Sequence, residues 1–410
     1  MMLNDIGKPV GENNFPISPQ NGAGANNTQF YPGGSSKKPF NGNKNTLYGV
    51  LGVVVALLII GIVSFVLFRS DKYKILSPYI NKVKDVVEAP KIMNPLTGEL
   101  FSEEEAAAWS NNRPLAVMVN NHLDARPQSG LVDADLIYEI VAEGGITRYL
   151  AFFLSKEPDK IGPVRSTREY YLVLVKELGD AMLMHIGWSP QALEAIETWP
   201  VRSLGRGGAA FWRDQARIDS GIAIEHTAYV KGSDLRTLGN DLGWEGTRET
   251  KTWTFKDDGP IDTTQQCLVG ECGKYITIDF WYKGDYTGMF TYDRATNTYL
   301  RYTGYDSSDK PVQLFDQESK EPIRVKNVVV QFVKESSIVG DEKNRLTYEL
   351  VGSGSAIVFT DGKATKATWA KTGRDERTMF YDESGKEIAF NRGKFWISVV
   401  PDRNVDLVVY

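Results

Sequence analysis

The sequence predicts an α+β chain: an N-terminal α/β layered domain followed by a mostly β C-terminal domain, anchored by one transmembrane helix. Three observations carry this. An uncharged apolar run occupies 46–68, strand-length apolar runs alternate with helical periodicity over 113–240, and beyond 252 the pattern becomes two-residue alternation broken by turn residues.

The first 45 residues are rich in Asn, Gly, Pro and Ser and poor in aliphatics, too apolar-poor to offset chain entropy. Residues 1–45 therefore read as a disordered cytoplasmic tail. The run at 46–68, TLYGVLGVVVALLIIGIVSFVLF, lies between Lys44 and Arg69 without a charge of its own. As a helix it spans roughly 34 Å, enough to cross a hydrocarbon core of about 30 Å. It is too long for a signal-peptide core, and no A-x-A-like cleavage site follows it. Residues 69–94, with Pro and Gly at their end, form a juxtamembrane linker.

In the N-terminal domain, 95–250, apolar runs at 115–119, 149–154 and 181–186 suit buried strands. The spacing of Tyr170, Leu174 and Leu178 predicts a helix over 169–178, and Ser189-Pro190 opens another over 191–198. Further helices are expected near 213–219 and 233–242. In the C-terminal domain, 251–410, strands are expected at 276–282, 298–302, 327–333, 346–351, 356–360 and 395–400. Asp361-Gly362 and Arg392-Gly393 are among the turns between them.

The whole chain carries 47 basic and 52 acidic residues, and removing the tail leaves about minus 7 beyond the helix. That balance argues against a general nucleic-acid binder, which needs a positive field to release phosphate counterions. Only Cys267 and Cys272 occur, a close pair that suits either a disulfide in an oxidising compartment or two reduced thiols. With no third cysteine, a zinc site lacks ligands, and no metal or cofactor is expected. The lysines and arginines flanking 46–68 are more numerous on its C-terminal side, which by itself would keep the large C-terminal part inside the cell.

Candidate functional residues concentrate between Asn120 and His185. Asn120, Asn121, Arg126, Gln128, Arg148, Arg165, Ser166 and Arg168 cluster at the ends of predicted strands, where α/β layers place ligand sites. In G-P-V-R-S-T-R, a helix starting near Ser166 would aim free N–H groups at an anion held by Arg165 and Arg168. The same arginines could instead pair with acids such as Glu157 or Asp159. Glu139 and Glu143, four apart, share a face on a helix or a strand and could serve as acid and base, with His185 as partner. They could equally neutralise Arg126 and Arg148. His122, His185 and His226 have no ligand-like spacing, and no Walker loop, G-x-S-x-G elbow or H-E-x-x-H occurs.

The runs RPLAVMVNN (113–121), RPQSGL (126–131), YEIVAEGGITR (138–148), IGPVRSTR (161–168) and HIGWS (185–189) resemble the YerB-like family, domain of unknown function 3048. PLTG at 95–98 is similar to its lead-in, and NVVVQ (327–331), GSG (352–354), FTDG (359–362), Thr368-Trp369 and GKFWI (393–397) to its C-terminal domain. The resemblance implies a bacterial extracytoplasmic protein held at the membrane, often through a lipidated cysteine. No cysteine stands near the N-terminus here, so the helix at 46–68 would do the anchoring, with residues 95–410 outside the cell membrane. The basic residues at 69–84 run against that orientation. Two functions follow as expectations. The first is a single-pass envelope protein, not an enzyme, that binds an anionic or polar partner such as a cell-wall polymer or another envelope protein; the second is a wall-acting hydrolase or transferase using Glu143 or Glu139 with His185.

Overall fold

Period-two runs and their turns resolve into two stacked sheets with helices on the far side of the larger one. The computed structural model describes residues 57–62, 91–206 and 211–410. The tail at 1–45 and most of both the 46–68 run and the 69–94 linker lie outside these residues. Within the run, 57–62 is helical and exposed. Among the described residues no helix is long and apolar enough to cross a membrane.

The N-terminal stretch supplies β1 (Leu115–Asn120), β2 (Leu136–Glu143), β3 (Ile146–Phe153) and β4 (Met182–Met184), with helices α1 (Glu169–Glu177), α2 (Pro190–Thr198) and α3 (Gly232–Asp241). The C-terminal stretch adds β5 (Ile276–Ile278), β6 (Gly288–Asp293), β7 (Thr298–Tyr305), β8 (Pro311–Gln313) and β9 (Asn327–Val333). It continues with β10 (Gly352–Thr360), β11 (Lys363–Lys371), β12 (Met379–Asp382), β13 (Phe395–Pro401) and β14 (Val408–Val409). The expected helices near 213–219 and 233–242 form as Gln215–Asp219 and α3. The strand expected at 346–351 is shorter, Leu346–Tyr348, and pairs with Glu335–Ser337 in a separate ribbon.

Nine strands make the main sheet, in the order β12-β11-β10-β9-β13-β2-β3-β1-β4. β13 runs parallel to β9 on one side and to β2 on the other, so a strand from near the C-terminus is the seam between the two stretches. Strands covered on both faces read as continuous apolar runs, and β9, β13, β2 and β3 are buried along almost their whole length. α1 covers one face, where the Tyr170 and Tyr171 hydroxyls each donate at 3.1 Å to the carbonyls of Val141 and Ile140. α2 begins with Pro190 after Ser189, whose hydroxyl accepts from the Ala192 N–H at 3.1 Å.

The second sheet, in the order β8-β7-β6-β5-β14, packs on the other face, with the Phe290 ring edge-on to Trp396 at 6.1 Å. Cys267 and Cys272 form a disulfide.

Candidate functional site

The geometry of the site is decided by one extra residue in β2. Up to Val141, β2 and β3 pair in uniform antiparallel register, Glu139 opposite Tyr149 and Val141 opposite Thr147; the next pair is Glu143 with Ile146. Two residues of β2 therefore oppose one of β3, a bulge beside the Gly144-Gly145 turn, where both glycines have positive φ. A bulge shifts every later side chain to the other face. The expectation that Glu139 and Glu143 share a face is thus corrected: Glu139 points toward the second sheet, and Glu143 toward the helix side with Arg148.

On the second-sheet face Glu139 is sealed. Its carboxylate accepts from the Arg301 guanidinium at 2.7 Å, the Trp396 indole at 3.0 Å and the Thr147 hydroxyl at 2.8 Å. Both Glu139 and Arg301 are 0% exposed, and the guanidinium lies over both the Phe290 and the Trp396 ring, 5.0 and 4.7 Å from their centroids. Burial pushes the Glu139 carboxyl up, while the Arg301 charge and the hydrogen bonds pull against it. Thr147 in turn accepts from Asn121 at 2.8 Å, and the Asn121 side-chain oxygen accepts from Arg126 and Gln128, each at 3.1 Å. Arg126 also donates to the Asp285 carbonyl at 2.8 Å. Arg126, Gln128 and Asn121 are thus engaged in a largely internal network that supports Glu139.

On the helix face a polar cleft of ≈ 400 Å³ opens, lined by Glu143, Arg148, Arg165, Ser166, Arg168, Trp188, Lys343 and Arg345. Four of the expected ligand residues meet here: Arg148, Arg165, Ser166 and Arg168. Arg148 donates to Glu143 at 2.9 Å and to the Ser166 carbonyl at 2.8 Å. Arg168 grips the same carboxylate through two nitrogens, one contact at 2.8 Å. Burial would raise the Glu143 carboxyl, but the Arg168 hydrogen bond and the Arg148 charge outweigh it and hold the group below its ordinary value, so it is ionised at neutral pH. Arg345 is paired with Asp341 at 2.5 Å. The Arg165 guanidinium, half-buried, has no hydrogen bond or ion pair among the described residues.

The helix does not begin at Ser166. α1 starts at Glu169 with Arg168 as its cap residue, because Thr167 is drawn into an extended bridge with Trp188 and donates its N–H to the Gly187 carbonyl at 3.1 Å. Glu157 and Asp159, the alternative partners for Arg165 and Arg168, are taken by Arg236 and Lys231.

His185, the expected partner of Glu139 or Glu143, is engaged elsewhere. Its Nδ1 is 2.9 Å from the Gly187 carbonyl and its Nε2 2.7 Å from the Ser203 hydroxyl, which occupies both ring nitrogens. Asn120 lies at the end of β1, its amide 2.7 Å from Nδ1 of His226 and its side-chain oxygen accepting from the His122 N–H at 3.0 Å. His122, Asp124 and His226 do come together within 4.8 Å. The two imidazoles are stacked, centroids 4.4 Å apart and planes 12° from parallel. Imidazole lone pairs lie in the ring plane, so near-parallel rings do not converge on one ion. Both Nδ1 atoms already accept, from the Asn120 amide and the Asp124 N–H.

Sequence reasoning missed Arg301 and Trp396 around Glu139, and Trp188, Lys343 and Arg345 in the cleft. Trp188 stood in the HIGWS run, but Lys343 and Arg345 sit in an ordinary polar loop with no local signal.

Residues 96–245 match the N-terminal domain, and 276–397 the C-terminal domain, of the protein of unknown function DUF3048. The chain is 32% identical over 327 residues to a Bacillus subtilis (strain 168) protein named "Putative lipoprotein YerB", covering 78% of this chain and 90% of that one. The crystal structure of YerB from Bacillus subtilis superposes with a TM-score of 0.61 at 29% identity, over 76% of this chain and 97% of that chain. On this agreement of motifs, sequence and fold, the chain belongs to the DUF3048 family.

Proposed function

We propose that this protein is a membrane-associated component of the bacterial cell envelope that binds an anionic ligand in the cleft between Arg165 and Arg345. The observation that carries the reading is Arg165: a half-buried guanidinium without an ion-pair partner among the described residues, in a cleft where Arg148, Arg168, Lys343 and Arg345 outnumber one carboxylate. A partly desolvated cation with unmet donors gains most from a phosphate or carboxylate. Support for the location comes from the uncharged run at 46–68, the name of the Bacillus relative and the Cys267–Cys272 pair, which suits an oxidising compartment. The run would anchor the chain by a single pass, with 91–410 outside.

The hydrolase reading has less support, since the bulge parts the two carboxylates. Glu139 is sealed against Arg301, Glu143 is held ionised, and His185 has both nitrogens engaged.

Titrating inorganic phosphate into the protein tests the binding reading. Arg165→Ala is expected to weaken binding about tenfold or more, the scale of one charge-assisted hydrogen bond, and affinity is expected to fall as salt rises. Equal affinities in the two proteins would refute it. Protease added to intact cells tests the location: digestion of 91–410 is expected, and protection contradicts the outward orientation.

A further inference from the structure

The cleft has one wall that a plain anion does not need. Trp188 lines it and is 40% exposed, which leaves an indole face open to the cleft's contents. Its backbone is fixed on both sides: Thr167 bridges it in parallel, and the Ile186 N–H donates to the Arg165 carbonyl at 3.1 Å. Gly187, immediately before it, turns the chain at φ +85° while its carbonyl meets His185 Nδ1 at 2.9 Å. The His185 ring then stands edge-on to the indole, 6.0 Å away. An apolar plate is thus held in place at the rim of a set of cations.

A second feature points the same way. The cleft lining holds the Glu143 carboxylate, fixed by Arg148 and Arg168, together with Ser166. A carboxylate repels a bare anion, but it accepts hydrogen bonds from hydroxyl groups. A ligand with an apolar ring face, several hydroxyls and one acidic group would use all of these at once. A volume of ≈ 400 Å³ lies within the usual range for small-molecule sites.

Building on the anion-binding reading above, we infer that the cleft takes an anionic saccharide, its ring lying on Trp188, its phosphate or carboxylate on Arg165 and Lys343, and its hydroxyls donating to Glu143. His185 is a positioning residue that sets the Trp188 plate through the Gly187 carbonyl and its ring edge.

The test titrates the full-length chain with glucosamine 6-phosphate, inorganic phosphate and phenyl phosphate. Glucosamine 6-phosphate is expected to bind about tenfold more tightly than inorganic phosphate, the scale of one aromatic contact. Trp188→Ala is expected to remove that advantage and leave inorganic phosphate unchanged, and Trp188→Phe to restore part of it. Glu143→Gln is expected to weaken the sugar phosphate relative to inorganic phosphate. The saccharide inference is overturned if the sugar phosphate binds no better than inorganic phosphate, if Trp188→Ala weakens both alike, or if phenyl phosphate binds best. In those cases the anion site itself stands; absence of binding by all three probes would remove both.

Discussion

At the residue scale, Glu139 and Glu143 show how the same side chain takes opposite roles by position. Glu139 and Arg301 are buried together, so losing one partner strands a charge in the interior. Arg301→Met is expected to cost about 3–5 kcal/mol in chemical denaturation while leaving anion affinity of the folded protein unchanged. Glu143 faces the cleft as an ionised group, and Glu143→Gln is expected to raise the affinity for inorganic phosphate by releasing Arg148 and Arg168. Weaker phosphate binding in that variant would mean that the carboxylate organises the arginines more than it opposes the ligand. His226 supplies a pH dependence: burial, then the His122 and Arg165 charges, hold its pKa below the ordinary value, with Glu225 and Asp124 pulling the other way. The unfolded chain therefore takes up a proton before the folded one as pH falls, and this contribution to stability is present above the ordinary histidine pKa and lost below it. Tm is expected to drop from pH 7 to pH 5, and by less in His226→Gln.

At the element scale, the strands and helices were largely legible because each carries its own period. β1, β9 and β13 follow from apolar runs, and α2 from a Ser-Pro start. The clustering of Arg148, Arg165, Ser166 and Arg168 followed from their places at strand ends. What could not be read was register. The bulge near Ala142 leaves no mark in composition, yet it sends Glu143 to the opposite face from Glu139. Helix α1 starts later than its hydroxyl suggests because the extended bridge to Trp188 claims Thr167 first, a tertiary contact overriding a local cap signal. Deleting Ala142 restores uniform register in β2. That variant is expected to bind inorganic phosphate more tightly, as Glu143→Gln does, because Glu143 leaves Arg148 and Arg168, and retention of wild-type affinity would contradict the role given to the bulge.

At the scale of the whole molecule, the two stretches matched by the family's N- and C-terminal domains share one sheet, with β13 between β9 and β2. Such a seam, like the Glu139–Arg301 pair across the sheets, was invisible in a sequence whose character changes near 252. Residues 91–250 expressed alone expose the edge of β2 that β13 covers, together with the face meant for the second sheet. They are expected to show no cooperative thermal transition, and one is expected when 251–410 is supplied as a second chain. The cleft belongs to this same scale, since Lys343 and Arg345 reach it from the C-terminal stretch and the remaining lining residues come from the N-terminal one. A crystal structure of residues 91–410 grown with saturating glucosamine 6-phosphate tests the central claim most directly. The phosphate is expected within hydrogen-bond distance of the Arg165 guanidinium; a cleft left empty, with the ligand ordered elsewhere or nowhere, would contradict it.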